Sequence, residues 1–206
     1  MSRRLSASVV IQAYCVGYFP MADHRGRIHW LSPDPRCVFD LEKFRPSRSL
    51  RQTIRRGAFE VRVNTAFEKV MQACATRVEG TWISHDIHRV YTRLFHEGWG
   101  HSVETWADGE LVGGLYGLAI GGAFFGESMF HRRTDASKVA LAYLVERLNQ
   151  RGFAMLDSQM TTDHLLRLGA IEISKTEYLE RLADVLTLKC RFDETRPQVE
   201  LPWDEL

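Results

Sequence analysis

Cysteine is scarce in this chain: Cys15, Cys37, Cys74 and Cys190 are its four, far apart and without a C-x-x-C pair. Such spacing excludes a disulfide framework and a cysteine-based zinc site, and it suits free thiols in a reducing compartment. Net charge is also nearly missing, since 27 Lys and Arg face 26 Asp and Glu, leaving +1. No whole-molecule field therefore draws nucleic acid or an anionic membrane, and any such partner has to be met by a local patch. Apolar runs approaching about eighteen residues are absent, and the opening MSRRLSASVVIQAYCVGYF is too interrupted by polar residues for a signal-peptide core. The expectation is a soluble cytoplasmic protein with no membrane partner. No internal repeat is visible. His85 and His88 share a helical face but lack a third ligand at suitable spacing, so no metal is expected.

What the chain does have is apolar content. With 206 residues and 45% hydrophobic composition it can bury one good-sized core, or a core plus a small lobe. The division expected is a small N-terminal lobe over 1–43 and a main domain over 44–206. The stretch from Gly113 to Leu148 organises the rest: strand, Gly121-Gly122 turn, strand, short basic loop, then a helix for which Asp135 is the expected N-cap. The second strand runs Phe124-Phe125 straight into Glu127, Ser128 and Met129, which puts a carboxylate and a hydroxyl at the end of a very apolar segment. A strand simply leaving the core for solvent would give the same pattern. After the helix, Phe153 to Leu156 is a second apolar run, ending in Asp157, Ser158 and Gln159. Alternation along a strand puts Asp157 and Gln159 on one side. Two strands joined through a helix form a crossover unit, and ligands commonly sit where such strands end. The competing role for Asp157 is to cap the following helix, but Thr161 and Thr162 lie closer to His164 and Leu165.

The remaining elements follow from caps and periodicity. Ser6 or Ser8 opens a short helix closed by Gly17. The segments Tyr18–Met21 and Ile28–Arg36 are too rich in turn residues to predict regular structure. Ser47 or Ser49 opens a basic helix closed by Gly57, on which Arg48, Arg51 and Arg55 share one face suited to phosphates, although a merely solvated face is the commoner meaning of such a run. Phe59 to Val63 alternates as a strand, and Thr65-Ala-Phe-Glu68 fits a capping box. Ser84 opens a helix to His96. His101–Trp106, Glu110–Ala119 and Ala123–Met129 form a three-stranded meander, and Ala170–Ile173 is a last strand before a helix capped by Ser174. The tail from Arg191 is polar and expected to lie over the surface. Meander, helix and returning parallel strand make an α+β (mixed α/β) fold, a mixed sheet flanked by helices in the manner of the acyl-CoA N-acyltransferase (GNAT-like) superfamily.

Several short motifs, in order along the chain, resemble the leucyl/phenylalanyl-tRNA-protein transferase family. They are Ala13-Tyr14 with Gly17 and Phe19-Pro20, Trp30 with Ser32-Pro-Asp-Pro-Arg36, Ser49-Leu50-Arg51, Gly80-Thr-Trp-Ile83, His101-Ser-Val-Glu104 with Trp106, Gly113-Gly-Leu-Tyr-Gly117, Gly126-Glu-Ser-Met-Phe130, Ala136-Ser-Lys138, Asp157 with Gln159, and Leu168-Gly-Ala170. The resemblance implies transfer of Leu or Phe, less often Met, from aminoacyl-tRNA onto the N-terminal Lys or Arg of an acceptor protein, marking it for degradation. It implies an aminoacyl pocket lined by Leu115, Phe124, Met129 and Ser128 and walled by Trp106, and Trp30 stacked on the tRNA 3′ adenosine. Glu127 and Asp157 would face the cationic acceptor, Gln159 would hold its α-amine, and Asp157, through Gln159 or a water, would take the amine proton. Arg48, Arg51 and Arg55 would follow the acceptor-stem phosphates. No cofactor and no metal is implied, and a monomer is expected. On this view Asp157→Ala removes transfer while sparing the fold. The chain departs from the family pattern at Leu31, where many relatives carry a second Trp, and at Ser158, where many carry Cys. A CoA-dependent acetyltransferase would need a glycine-bearing loop ahead of the central helix, which His131-Arg-Arg-Thr-Asp135 is not. A transferase acting on N-terminal Asp or Glu would need a cationic acceptor site. A plain RNA-binding module would leave the carboxylates without a task.

Overall fold

The computed structural model describes residues 5–76 and 81–195. Its centre is a seven-stranded sheet in the order β4-β5-β6-β7-β8-β3-β9. These strands are β3 (Arg36–Phe39), β4 (Glu60–Val63), β5 (Gly100–Ala107), β6 (Glu110–Ile120), β7 (Ala123–His131), β8 (Met155–Gln159) and β9 (Ala170–Ile173). The meander β5-β6-β7 is antiparallel, while β7 and β8 run parallel across the helix α5 (Ala136–Gln150). This is the mixed sheet flanked by helices expected from the sequence.

Each face of the sheet holds a core. On one side lie α1 (Ala7–Cys15), α3 (Phe67–Ala75), α4 (His85–His96) and α7 (Lys175–Leu186), packed on Tyr116, Leu118 and Phe125. On the other, α5 packs on Val103, Leu115 and Phe124, with α2 (Arg48–Arg55) outside it. The short helix α6 (Asp163–Arg167) joins β8 to β9. Gly113 explains how α5 comes so close to β6: a Cβ there would lie 2.5 Å from the Cβ of Ala136. Neither half of this arrangement contains a helix long and apolar enough to cross a membrane, among the described residues.

Most helices open on the hydroxyls that the sequence offers. Ser6, Ser47, Ser84, Thr162 and Ser174 each accept a backbone N–H at the start of their helices. Two expected caps are different. Asp135 sits in the left-handed region at φ 66° with no capping bond, and its carboxylate instead meets Lys138 at 2.9 Å. The Thr65–Glu68 box does not form either. Glu104, fully buried on β5, accepts from the Thr65 and Ala66 amides and from the Thr65 and Ser102 hydroxyls, so a distant strand caps α3. The turn-rich N-terminal segments also carry more order than expected. β1 (Phe19–Ala22) and β2 (Ile28–Leu31) form a hairpin, and β3 is a central strand with all four residues buried. The tail is anchored rather than draped at its start, because Phe192 is buried against Phe124 and Phe153; Pro197 and Pro202 lie outside the described residues.

Candidate active site

β7 and β8 are paired only from Ala123↔Met155 to Phe125↔Asp157, after which they separate. Two parallel strands that part leave a wedge whose walls are main chain and alternating side chains. The register between β6 and β7 slips at the same level: Tyr116 faces Ser128 while Gly117 faces Gly126, so Glu127 is the extra residue of a bulge. A bulge re-aims the side chain it adds. Gly117 is required opposite it, since a Cβ there would overlap the Phe125 carbonyl oxygen and the Phe124 ring.

The wedge opens into a cavity of about 460 Å³. Leu115 and Met129 from the meander, Leu141 and Leu144 from α5, and Leu156 and Leu165 beyond the crossover give it an apolar lining, and Phe19, Met21 and Trp82 close another side. Its polar groups are few: Glu127, Ser128, Ser158, Gln159, Thr162 and His164. Mostly apolar walls with a few convergent polar groups are the usual makeup of a small-ligand site.

Glu127 is held by two fully buried tyrosines. Tyr14 on α1 donates to its Oε1 at 2.5 Å, and Tyr91 on α4 reaches Oε2 at 3.3 Å, with 2.7 Å between the two hydroxyls. Burial pushes the Glu127 carboxyl up to about 8; the Tyr14 bond works against that rise and nearby Asp157 adds to it. Desolvation, followed by the charge of Glu127, in turn keeps both tyrosine hydroxyls well above their ordinary range, so they stay donors.

Beside it lies a second polar unit. Asp157 receives a two-pronged contact from Arg36, Nε to Oδ1 at 2.9 Å and Nη2 to Oδ2 at 2.6 Å. Tyr178 donates to Oδ2 at 2.8 Å and the Gln159 amide to Oδ1 at 2.8 Å. The guanidinium also reaches the Gly17 carbonyl and lies over the rings of Tyr178 and Phe19, 4.3 and 5.0 Å from their centroids. Arg36 and Asp157 are 1% and 0% exposed, so this is a closed, fully compensated pair. Gln159 ends β8 in the left-handed region at φ 60°, a costly backbone for a residue that is not glycine. Gln159 lines the cavity, and its side-chain Nε2 is buried with no hydrogen-bond partner among the described residues.

A family profile described as leucyl/phenylalanyl-tRNA protein transferase matches residues 38–183, and one for that protein's N-terminal domain matches residues 3–34. The chain belongs to the leucyl/phenylalanyl-tRNA protein transferase family. The protein of that name from Gloeobacter violaceus is 54% identical over 189 residues, covering 91% of this chain and 97% of its own. The one from Paramagnetospirillum magneticum is 54% identical over 197 residues, covering 93% and 94%. A solved structure, L-PGS from Bacillus licheniformis, is similar at 14% identity with TM-score 0.45, over 62% of this chain and 46% of that one.

Within this transferase-family chain, Leu115, Met129, Ser128, Glu127 and Gln159 meet in the one cavity. The other expected site residues are elsewhere. Phe124 faces the α5 side but is fully buried under Phe192, so it supports the wall from behind. Trp106 is not in the cleft: it lies towards the turn end of β5, paired across from Glu60 and stacked by the Arg62 guanidinium at 4.5 Å. Asp157 is enclosed by Arg36 and Tyr178 and does not line the cavity, which corrects its expected contact with an acceptor. Trp30, 37% exposed, pairs with Pro20 and so alternates with Phe19 and Met21, which line the cavity from the same hairpin. Arg48, Arg51 and Arg55 are exposed on α2 and contribute nothing to the cavity lining.

Sequence reasoning misses Arg36, Tyr14, Tyr91 and Tyr178 as members of the site. Tyr14 and Arg36 stand inside the family motifs, so a signal exists, but no local pattern says that residues 14, 91 and 127 share hydrogen bonds. His164 shows in the sequence only as helix content.

Proposed function

We propose that this protein transfers Leu or Phe, and less often Met, from aminoacyl-tRNA to the N-terminal Lys or Arg of an acceptor protein. The family supports the reaction class. The observation that carries the assignment to this site is the wedge between β7 and β8, where an apolar cavity, the Glu127 carboxyl and the Gln159 side chain, whose Nε2 has no partner among the described residues, adjoin. An aminoacyl ester is already activated, so the protein's work is to desolvate and align.

The aminoacyl side chain enters between Leu115, Met129, Leu141 and Leu144, a lining that rejects charge and discriminates weakly by single methylenes. Trp30, on the outer face of the hairpin, stacks the terminal adenine. The cationic end of the acceptor meets Glu127, whose carboxyl gives up its proton as the positive charge arrives. Gln159 holds the neutral α-amine against the ester carbonyl. The amine nitrogen forms a bond to the carbonyl carbon, the ester C–O bond breaks, and the proton lost by the nitrogen passes to the departing ribose oxygen, so the tRNA leaves with a free hydroxyl. Asp157 acts by fixing the turn at Gln159 through the hydrogen bond its Oδ1 accepts from the Gln159 main-chain N–H, so it is a positioning residue and not a group that touches substrate.

The test is incubation with labelled Leu-tRNA and a peptide beginning with Arg, beside peptides beginning with Asp or Met. Label should move to the Arg peptide alone and be lost in Gln159→Ala. No transfer to the Arg peptide, or preference for the Asp peptide, would overturn the assignment.

A further inference from the structure

Residues 191–194, past α7, belong to no helix or strand, yet side chains from elsewhere in the fold hold them in place. Arg147 on α5 donates from Nε to the Phe192 carbonyl at 2.9 Å, and its guanidinium lies 5.0 Å from the Phe192 ring centroid. Arg151, just after α5, reaches the Arg191 carbonyl at 3.2 Å and pairs with Glu194 at 3.2 Å. Asn64, just past β4, donates to Asp193 at 2.8 Å, while its own side-chain oxygen accepts the Ser102 amide at 3.0 Å. Together these contacts seat one aromatic ring in the core. Phe192 is 2% exposed, and its ring centroid is 4.5 Å from that of His101, 5.1 Å from Phe124 and 6.3 Å from Phe153.

The strand register shows what this ring backs. Cross-strand partners share a face of a sheet, and so do residues two apart on one strand. His101 pairs with Gly117, Leu115 lies two residues before Gly117, and Phe124 pairs with Leu156, all on the α5 side. The Phe124 ring lies across Gly117, where a Cβ would come 2.5 Å from its Cε1, and Phe192 packs against that ring. Leu115 and Leu156 line the cavity, whereas Phe124 and Phe192 do not. Resting on the transfer reading above, we propose that Phe192 sets donor specificity as a positioning residue: by pinning Phe124 behind Leu115 and Leu156, it limits the size of the aminoacyl side chain that the pocket admits. It touches no substrate. A close-packed interior passes such a constraint from one side chain to the next, because there is little void to absorb it. Without the Phe192 ring, Phe124 gains room to swing back and the wall ahead of it can yield.

The experiment measures kcat/KM for transfer from Phe-tRNA and from Leu-tRNA to a peptide beginning with Arg, in the wild type, Phe192→Ala and Phe192→Leu. The ratio of the two donors is the readout. A loss of folded protein scales both rates alike and cancels in that ratio, whereas a deeper pocket favours the bulkier side chain. Phe192→Ala should raise the Phe-to-Leu ratio about threefold to tenfold, the range open to an apolar pocket that gains a little space, and Phe192→Leu should restore most of the wild-type value. Arg147→Met, which removes the bond to the Phe192 carbonyl but leaves the ring, should shift the ratio the same way by less, and it serves should Phe192→Ala fail to fold. A ratio that stays the same or falls in these variants would overturn the proposal and leave Phe192 a core residue only. A wild-type protein that uses neither donor would instead remove the reading on which it rests.

Discussion

Asp157 has no exposed surface, and every oxygen it owns is occupied by Arg36, Tyr178 or the Gln159 amide. Removing one partner of such a pair leaves the other charge buried and uncompensated, which destabilises by about 3–5 kcal/mol. Asp157→Ala should therefore lower the urea midpoint strongly as well as abolish transfer, and a variant that loses transfer at unchanged midpoint would restore the purely catalytic role expected from sequence. The sequence singles out Asp157 but not its partners. It showed a carboxylate at the end of an apolar strand, but the partner that fills its coordination lies 121 positions away, and pairs at that separation leave no periodic trace.

At the level of elements, the bulge in β7 and the parting of β7 from β8 decide where the site is. Gly117 stands across from the bulge with no room for a methyl group, because the obstruction is the Phe125 carbonyl oxygen, which belongs to the main chain of the neighbouring strand. Gly117→Ala should cost about 1–3 kcal/mol through overpacking and should weaken transfer further by shifting Glu127. Circular-dichroism melting together with the Leu-tRNA assay checks both effects, and a variant as stable and active as the parent would mean that the bulge has slack. Alternation and caps made most elements legible, from the Ser84 helix to the Asp108-Gly109 hairpin. They missed β3, since a central four-residue strand buried on both faces does not alternate, and they missed the capping of α3 by Glu104 from another strand.

For the molecule as a whole, the placement of Glu127 sets a pH dependence of stability. Its carboxyl is pushed up to about 8 by burial, whereas in the unfolded chain it titrates near about 4.3. Between those values the folded state holds the proton and the unfolded state does not, so unfolding becomes easier as pH rises through that window. The wild type should lose stability from about pH 5 to about pH 8 relative to Glu127→Gln, whose side chain does not titrate. Urea midpoints of the two proteins across that range measure the difference, and parallel curves would show that the carboxyl is hydrated and unshifted. The near-zero net charge conceals an uneven distribution, with α2 basic and the cavity lining carrying a carboxyl.

By itself the sequence determined the helices, the strands from β4 onward, the crossover through α5, the family, and the chemistry present near each strand end, because propensity, capping and alternation are local. Tertiary structure alone decided which of those polar groups open to the cavity and which are consumed in holding it. Glu127 and Gln159 line the wedge, while Asp157, Phe124 and Trp106 are turned to other partners. The reason is geometric: a one-residue bulge and the angle at which two strands diverge choose a side chain's direction, and neither depends on nearest neighbours in the chain.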